Sequence, residues 1–173
     1  MKRRRAVNRV VAVNVKRFIG TAQAYCGLIE TGGSLEGSAF FKECFRLVAK
    51  LLSEAVGLPD DVGRCGTGRR VTHGEWREIY QRLKLDLGDN DHYKKVFDAW
   101  KTEHPEVLLG SISDDLADIW WDVKQGLAVL ANDDASNAIC EWRLSFLQHW
   151  GSFHATGLLH ALLPLAFREE LEP

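Results

Sequence analysis

The sequence predicts an all-α protein, a compact bundle of five to six helices. Apolar residues recur at three- and four-residue spacing through most of the 173 residues. Glycine, proline and Ser/Thr/Asp/Asn clusters interrupt that rhythm at intervals suited to helix ends, and no stretch alternates convincingly with period two. The length suits one domain, residues 1–173.

The first helix is expected from about Val7 to Glu30, with Val11, Val15, Phe18, Ala22, Tyr25, Cys26 and Ile29 on its apolar face. Thr31-Gly32-Gly33 would stop it, because glycine accepts the left-handed C-cap conformation. The basic residues before it, within 1–6, are expected as a disordered tail. A second helix follows from about Gly37 to Val56, ended by Gly57 and Pro59. Residues 58–71 read as a flexible loop rich in glycine and arginine. Thr72 and Glu75 have the spacing of a capping box at the head of a third helix carrying Trp76, Ile79, Tyr80, Leu83 and Leu87. Asp91 is expected to cap a short fourth helix through Val96, Phe97 and Trp100. Ser113 would cap a fifth, Asp114 to Leu130. A long helical region then runs from Ala135 to about Glu170, with Gly151 and Pro164 as points of bending.

Composition excludes several classes of function. Hydrophobic residues make up 46% and charged residues 27%, a globular balance. With 22 basic and 24 acidic side chains the net charge is near zero, so no global field draws the chain to nucleic acid or an anionic membrane. No apolar run reaches the length of a membrane span. Cys26, Cys44, Cys65 and Cys140 are scattered without a Cys-x-x-Cys pair. That spacing argues against a zinc ribbon or a disulfide framework, and a cytoplasmic location is expected.

Nothing has the form of a catalytic signature. There is no nucleophile elbow, no dinucleotide fingerprint, and no Glu-x-x-His or His-x-x-x-His ligand pair. The glycine–arginine loop with Arg64, Arg69 and Arg70 lacks the Gly-Lys-Ser/Thr of a phosphate loop. No catalytic residue, metal ligand or cofactor is therefore assigned.

The fifth helix is the most informative segment. Leu116, Ile119, Trp120, Val123, Leu127 and Leu130 form its core stripe. Asp114, Asp118 and Asp122 line up four apart on the opposite side, with Trp121 beside them. Asp114 and Asp115 fit the positive end of the helix dipole. Asp118 and Asp122 lie past the first turn and need another reason. Such a stripe is usually a solvated face, paired with Lys124 or a neighbouring arginine such as Arg143. It could instead hold a cation or face a partner. In the C-terminal region, His149 and His160 fall on an aromatic face with Ile139, Trp142, Phe146 and Phe153, whereas His154, five residues after His149, is expected to point elsewhere. The candidate contact residues are Asp114, Asp118, Trp121, Asp122, Arg143, His149 and Trp150.

The run Ser111-Ile-Ser-Asp-Asp-Leu-Ala-Asp-Ile-Trp-Trp-Asp-Val-Lys-Gln-Gly126 resembles the central motif of a bacterial domain family of unknown function, the one numbered five-zero-six-three. Phe18 to Glu30, Tyr93-x-x-Val-Phe97 and Phe146-x-x-His-Trp-Gly151 with Leu158 to Leu163 are similar to its other segments. Trp121 and His160 depart from the pattern. The resemblance implies an all-helical bacterial protein and transfers no catalytic residue. The leading expectation is a non-enzymatic helical module that binds a protein partner or acts as an accessory factor, with a homodimer as a further reading. The alternative is a Mg²⁺- or Mn²⁺-dependent hydrolase of nucleotides or phosphate esters using the aspartate stripe, with Glu75 and Glu78 the obvious further carboxylates.

Overall fold

A computed structural model describes residues 2–32, 37–60, 65, 70–96, 100, 103–132 and 135–168, the side chains from residue 13 onward. Helix α1 spans Lys2–Thr31, so it takes in the basic residues expected as a tail. Gly32, at φ +33°, caps it by returning its N–H to the carbonyl of Leu28. Arg82 donates to the carbonyls of Ile29 and Glu30, placing a cation at the negative end of the helix. Helix α2 is Ser38–Ala55 and α3 is His73–Leu87. The Thr72 hydroxyl accepts from the Glu75 N–H, and the Glu75 carboxylate from the Thr72 N–H, so both halves of the capping box form.

The next segment departs from expectation. A 3₁₀ turn, Gly88–Asp91, leads into strand β1, His92–Val96, which pairs antiparallel with β2, Val107–Ser111, in the register Tyr93 opposite Gly110. The expected fourth helix is therefore a hairpin; Phe97, which it was to include, lies outside the described residues. Alternation decides it: Tyr93 and Lys95 are half-buried while His92, Lys94 and Val96 are exposed. Asp91 caps a helix, though a different one. Its buried carboxylate accepts from the Ser113 N–H at 2.7 Å and the Ser111 hydroxyl at 3.1 Å. The Asp114 N–H donates to Ser111 Oγ. Ser111 and Asp91, rather than Ser113, satisfy the first turn of α4, Ile112–Asn132.

The C-terminal region comprises α5, Ala135–Ser145, a π-helical segment, Phe146–Ala155, and α6, Thr156–Ala166. Gly151 lies inside the π segment, where a Cβ would strike the Phe146 ring and carbonyl. The expected end near Glu170 lies outside the described residues.

Helix α4 is the axis, packed by α1, α3, α5, α6 and the π segment. Its Leu116, Ile119 and Val123 are fully buried with Phe18, Tyr25 and Ile29 of α1, Leu51 of α2, and Trp142, Trp150 and Leu158. The indole N–H of Trp142 donates to the Val123 carbonyl at 2.9 Å. No helix is long and apolar enough to cross a membrane among the described residues.

The cysteines correct a further expectation. Cys26 and Cys44 are buried free thiols, but Cys65 and Cys140 form a disulfide, with Cα atoms 5.3 Å apart. Sequence spacing carried no sign of this pair, because tertiary packing alone brings the loop onto α5.

Candidate metal centre

The aspartate face of α4 is not a solvated face. It is covered by α3 on one side and by the π segment and hairpin on the other. Trp76 of α3 donates its indole N–H to Asp118 Oδ1 at 2.8 Å. Its ring stacks on Tyr80 and leans on Trp121, whose own N–H donates to the Val71 carbonyl. These aromatics wall off one flank of the carboxylates.

The opposite flank carries two histidines. His149 Nδ1 lies 2.8 Å from Asp122 Oδ2, and His154 Nδ1 lies 2.8 Å from Asp115 Oδ1. His154 Nε2 sits 3.4 Å from Asp118 Oδ2, and the two imidazole rings are 4.7 Å apart. The expectation that residues 149 and 154 point to different faces assumed an α-helix. In a π-helix the repeat is an i→i+5 hydrogen bond, so side chains five apart come onto one side. One donor atom each from Asp118, His149 and His154 lie within 4.8 Å of one another, as do donors from Asp114, Asp115 and His154.

Asp115 links this cluster to the hairpin. Its side chain is 1% exposed, yet it receives the Tyr93 hydroxyl at 2.5 Å, Lys95 Nζ at 3.4 Å and His154. Burial, then the carboxylate Asp115 nearby, raises the pKa of Asp114. Asp118 is also raised, chiefly by burial, with His154 opposing. The hydrogen bond to Asp122 raises His149, against desolvation. Burial and the bond to Asp115 push the Tyr93 hydroxyl well up, so it stays a protonated donor. A cation among these carboxylates would relieve the penalty that burial imposes on them.

Of the candidate residues, Asp114, Asp118, Asp122 and His149 come together here, with Trp121 in the wall. Two do not. Arg143 pairs with Asp60 and the Leu58 carbonyl, holding the start of the 58–71 loop rather than the aspartate stripe. Trp150 is fully buried in the core, which removes it as a contact residue. Lys124 pairs with Glu30 of α1 at 2.6 Å. His160 and Phe153 are exposed, because the π segment shifts the phase of the helix after it. Arg64 and Arg69 lie outside the described residues; Arg70 and Val71 both donate backbone N–H groups to Gln125 Oε1. The sequence reading missed Asp115, His154, Tyr93, Lys95 and Trp76. None of them carries a local signal of this role; Asp115 reads as an ordinary first-turn carboxylate of α4.

The family model for DUF5063, a domain of unknown function, matches residues 10–168. A protein of Bacteroides fragilis known from its crystal structure superposes with a TM-score of 0.72 at 22% identity, covering 92% of this chain and 96% of that one. This likeness shows a shared fold. No curated protein matches the chain.

Proposed function

We propose that this chain, which belongs to the DUF5063 family, is a metal-binding protein whose centre is Asp118, His149 and His154. One observation carries the reading: both histidines have Nδ1 engaged by a carboxylate while donor atoms of the three residues lie within 4.8 Å. A carboxylate behind each ring fixes its tautomer and leaves Nε2 to accept a metal, the arrangement that supports metal-bound histidines generally. Metal–ligand bonds of about 2.0–2.2 Å put donors about 3–4.4 Å apart, so the cluster needs little adjustment. Two imidazoles with one carboxylate suit Zn²⁺, Fe²⁺, Co²⁺ or Mn²⁺ better than Mg²⁺.

Three protein donors leave coordination positions open. A pocket of about 240 Å³ lined by Trp121, Asp122, Gln125 and His149 lies beside them. A bound ion would there lower the pKa of a water molecule, so the enzymatic form of the proposal is hydrolysis. The Asp114–Asp118–Asp122 stripe is then not itself the ligand set: Asp118 binds, Asp122 orients His149, and Asp114 adds charge.

The test is calorimetric titration of chelator-stripped protein with Zn²⁺, Mn²⁺ and Mg²⁺. One Zn²⁺ or Mn²⁺ per chain is expected, with Mg²⁺ much weaker, and Asp118→Asn or His154→Ala should weaken binding about 100-fold. Absence of saturable transition-metal binding by the folded protein overturns the proposal.

A protein partner or a second copy is a reading for another surface. Val107 and Leu109 on the hairpin are 57% and 71% exposed, two apolar side chains on one face of β2. The cytoplasmic placement loses its argument with the Cys65–Cys140 bond, which supports an oxidising compartment instead.

A further inference from the structure

Next to the centre, a groove of about 880 Å³ runs between the hairpin and the π–α6 junction. We infer that it binds a small organic anion, a flat apolar ring system bearing a phosphate or carboxylate, through Lys94, Lys95 and the aromatic walls beside them. This goes beyond the metal proposal and does not require it.

The volume falls in the range that encloses a small molecule. Among the described residues no aspartate or glutamate lines this groove, whereas Lys94, Lys95 and His160 do, with Asp115 behind Lys95. Thr156 adds a hydroxyl to the same wall, while the Ser152 hydroxyl there donates to the Leu147 carbonyl. Among the described residues the lining thus offers donors and cations, and the carboxylate nearest to it, Asp115, is engaged by Lys95, Tyr93 and His154. Lys95 Nζ reaches Asp115 at 3.4 Å and the Phe153 carbonyl at 3.3 Å. An ammonium has three protons, so one remains for a ligand. Those two contacts also fix the ammonium in place, which lowers the ordering cost of binding.

The rest of the lining is apolar: Val96, Leu108, Phe153 and Trp100, with the Tyr93 ring. Aromatic walls favour a planar partner that can stack or meet them edge-on. Gly157 keeps the inner end open, since a Cβ there would come within 2.7 Å of the Tyr93 hydroxyl. Asp115, which takes that hydroxyl and Lys95, also holds His154. An anion seated on Lys95 would therefore lie one side chain away from the proposed metal ligand.

The experiment is titration of metal-stripped protein with 1-naphthyl phosphate, 1-naphthoate, 1-naphthol and inorganic phosphate. Both aromatic anions should saturate at one per chain, and 1-naphthol and inorganic phosphate should bind about tenfold more weakly. Lys94→Glu alters an exposed side chain and should weaken the two anions about fivefold, the scale of an exposed charge pair reversed. His149→Ala, which removes a proposed metal ligand, should leave both affinities within about twofold. Equal binding of 1-naphthol and the anions, failure of both anions to saturate, or indifference to Lys94→Glu in folded protein would overturn the inference. Because no metal is present, none of these outcomes bears on the metal centre, and loss of metal binding would not bear on the groove.

Discussion

At position 72 a threonine fixes where α3 begins, and its partner makes the start sensitive to acid. The Glu75 carboxylate accepts both the N–H and the hydroxyl of Thr72, and these bonds hold its pKa below the usual glutamate value. A carboxyl with a depressed folded pKa contributes stability above its unfolded pKa, and loses it as pH falls through the folded value. Thr72→Ala should therefore cost about 1 kcal/mol near neutral pH, lowering Tm by about 2–4 °C. The difference from wild type should shrink below about pH 4, which thermal melts across pH 3–7 would check. Gly126 offers a second test. A Cβ there would collide with the Trp142 indole that donates to the Val123 carbonyl. Gly126→Ala should destabilise by about 1–3 kcal/mol, read by denaturant unfolding, although alanine is the better helix former. Both tests concern single residues, where the sequence was unevenly legible. Thr72-x-x-Glu75 announces itself because a capping box is local. Asp115 did not, because a carboxylate in a first turn has an ordinary role. Only the long-range approach of Tyr93, Lys95 and His154 gives it another.

Among the elements, those set by a 3.6-residue rhythm were readable: α2, α3 and α4 fall close to the bounds that their apolar residues imply, and α1 ends where expected but begins earlier, at Lys2. The two that were not readable make the candidate site. The hairpin segment His92-Tyr-Lys-Lys-Val96 has too few apolar residues for its alternation to show. Its inward positions are a tyrosine and a lysine that bond a buried carboxylate rather than fill a core. The π segment hides for another reason. Its extra residue shifts the phase between α5 and α6, so a face drawn through Phe146, His149, Phe153 and His160 mixes core with surface. The hairpin can be tested at Gly110, which is buried opposite Tyr93. A Cβ there would come within 2.6 Å of the tyrosine ring. Gly110→Ala should push Tyr93 off Asp115, speed hydrogen exchange across residues 92–96 and 107–111, and weaken metal binding through His154. A variant with unchanged exchange in the hairpin would show that the ring has room to move.

For the molecule as a whole, the disulfide is the longest-range constraint. Cys65 and Cys140 are 75 residues apart, and the loop they close contains α3, the hairpin and α4. Closing a loop of that length restricts the unfolded chain by up to about 4 kcal/mol on the chain-entropy account, and measured values usually fall below that. The bond also reinforces non-covalent ties on the same stretch. Arg143 holds Asp60 before Cys65, and Gln125 holds the N–H groups of Arg70 and Val71 after it. Because those ties persist without the bond, the reduced chain should remain folded and lose stability rather than structure. Reduction with a dithiol, or Cys65→Ser, should lower Tm by about 5–15 °C while leaving the far-ultraviolet dichroism at 25 °C unchanged. Reduction should have no further effect on Cys65→Ser, since Cys26 and Cys44 are free and buried. Of the metal ligands, Asp118 lies within the closed loop and His149 and His154 after it. All three are held by α4 and the π segment rather than by the bond, so the reduced protein should bind metal with unchanged stoichiometry. If reduction left Tm where it was, the two sulfurs would not be bonded in solution. The cytoplasmic expectation drawn from cysteine spacing would then regain its footing.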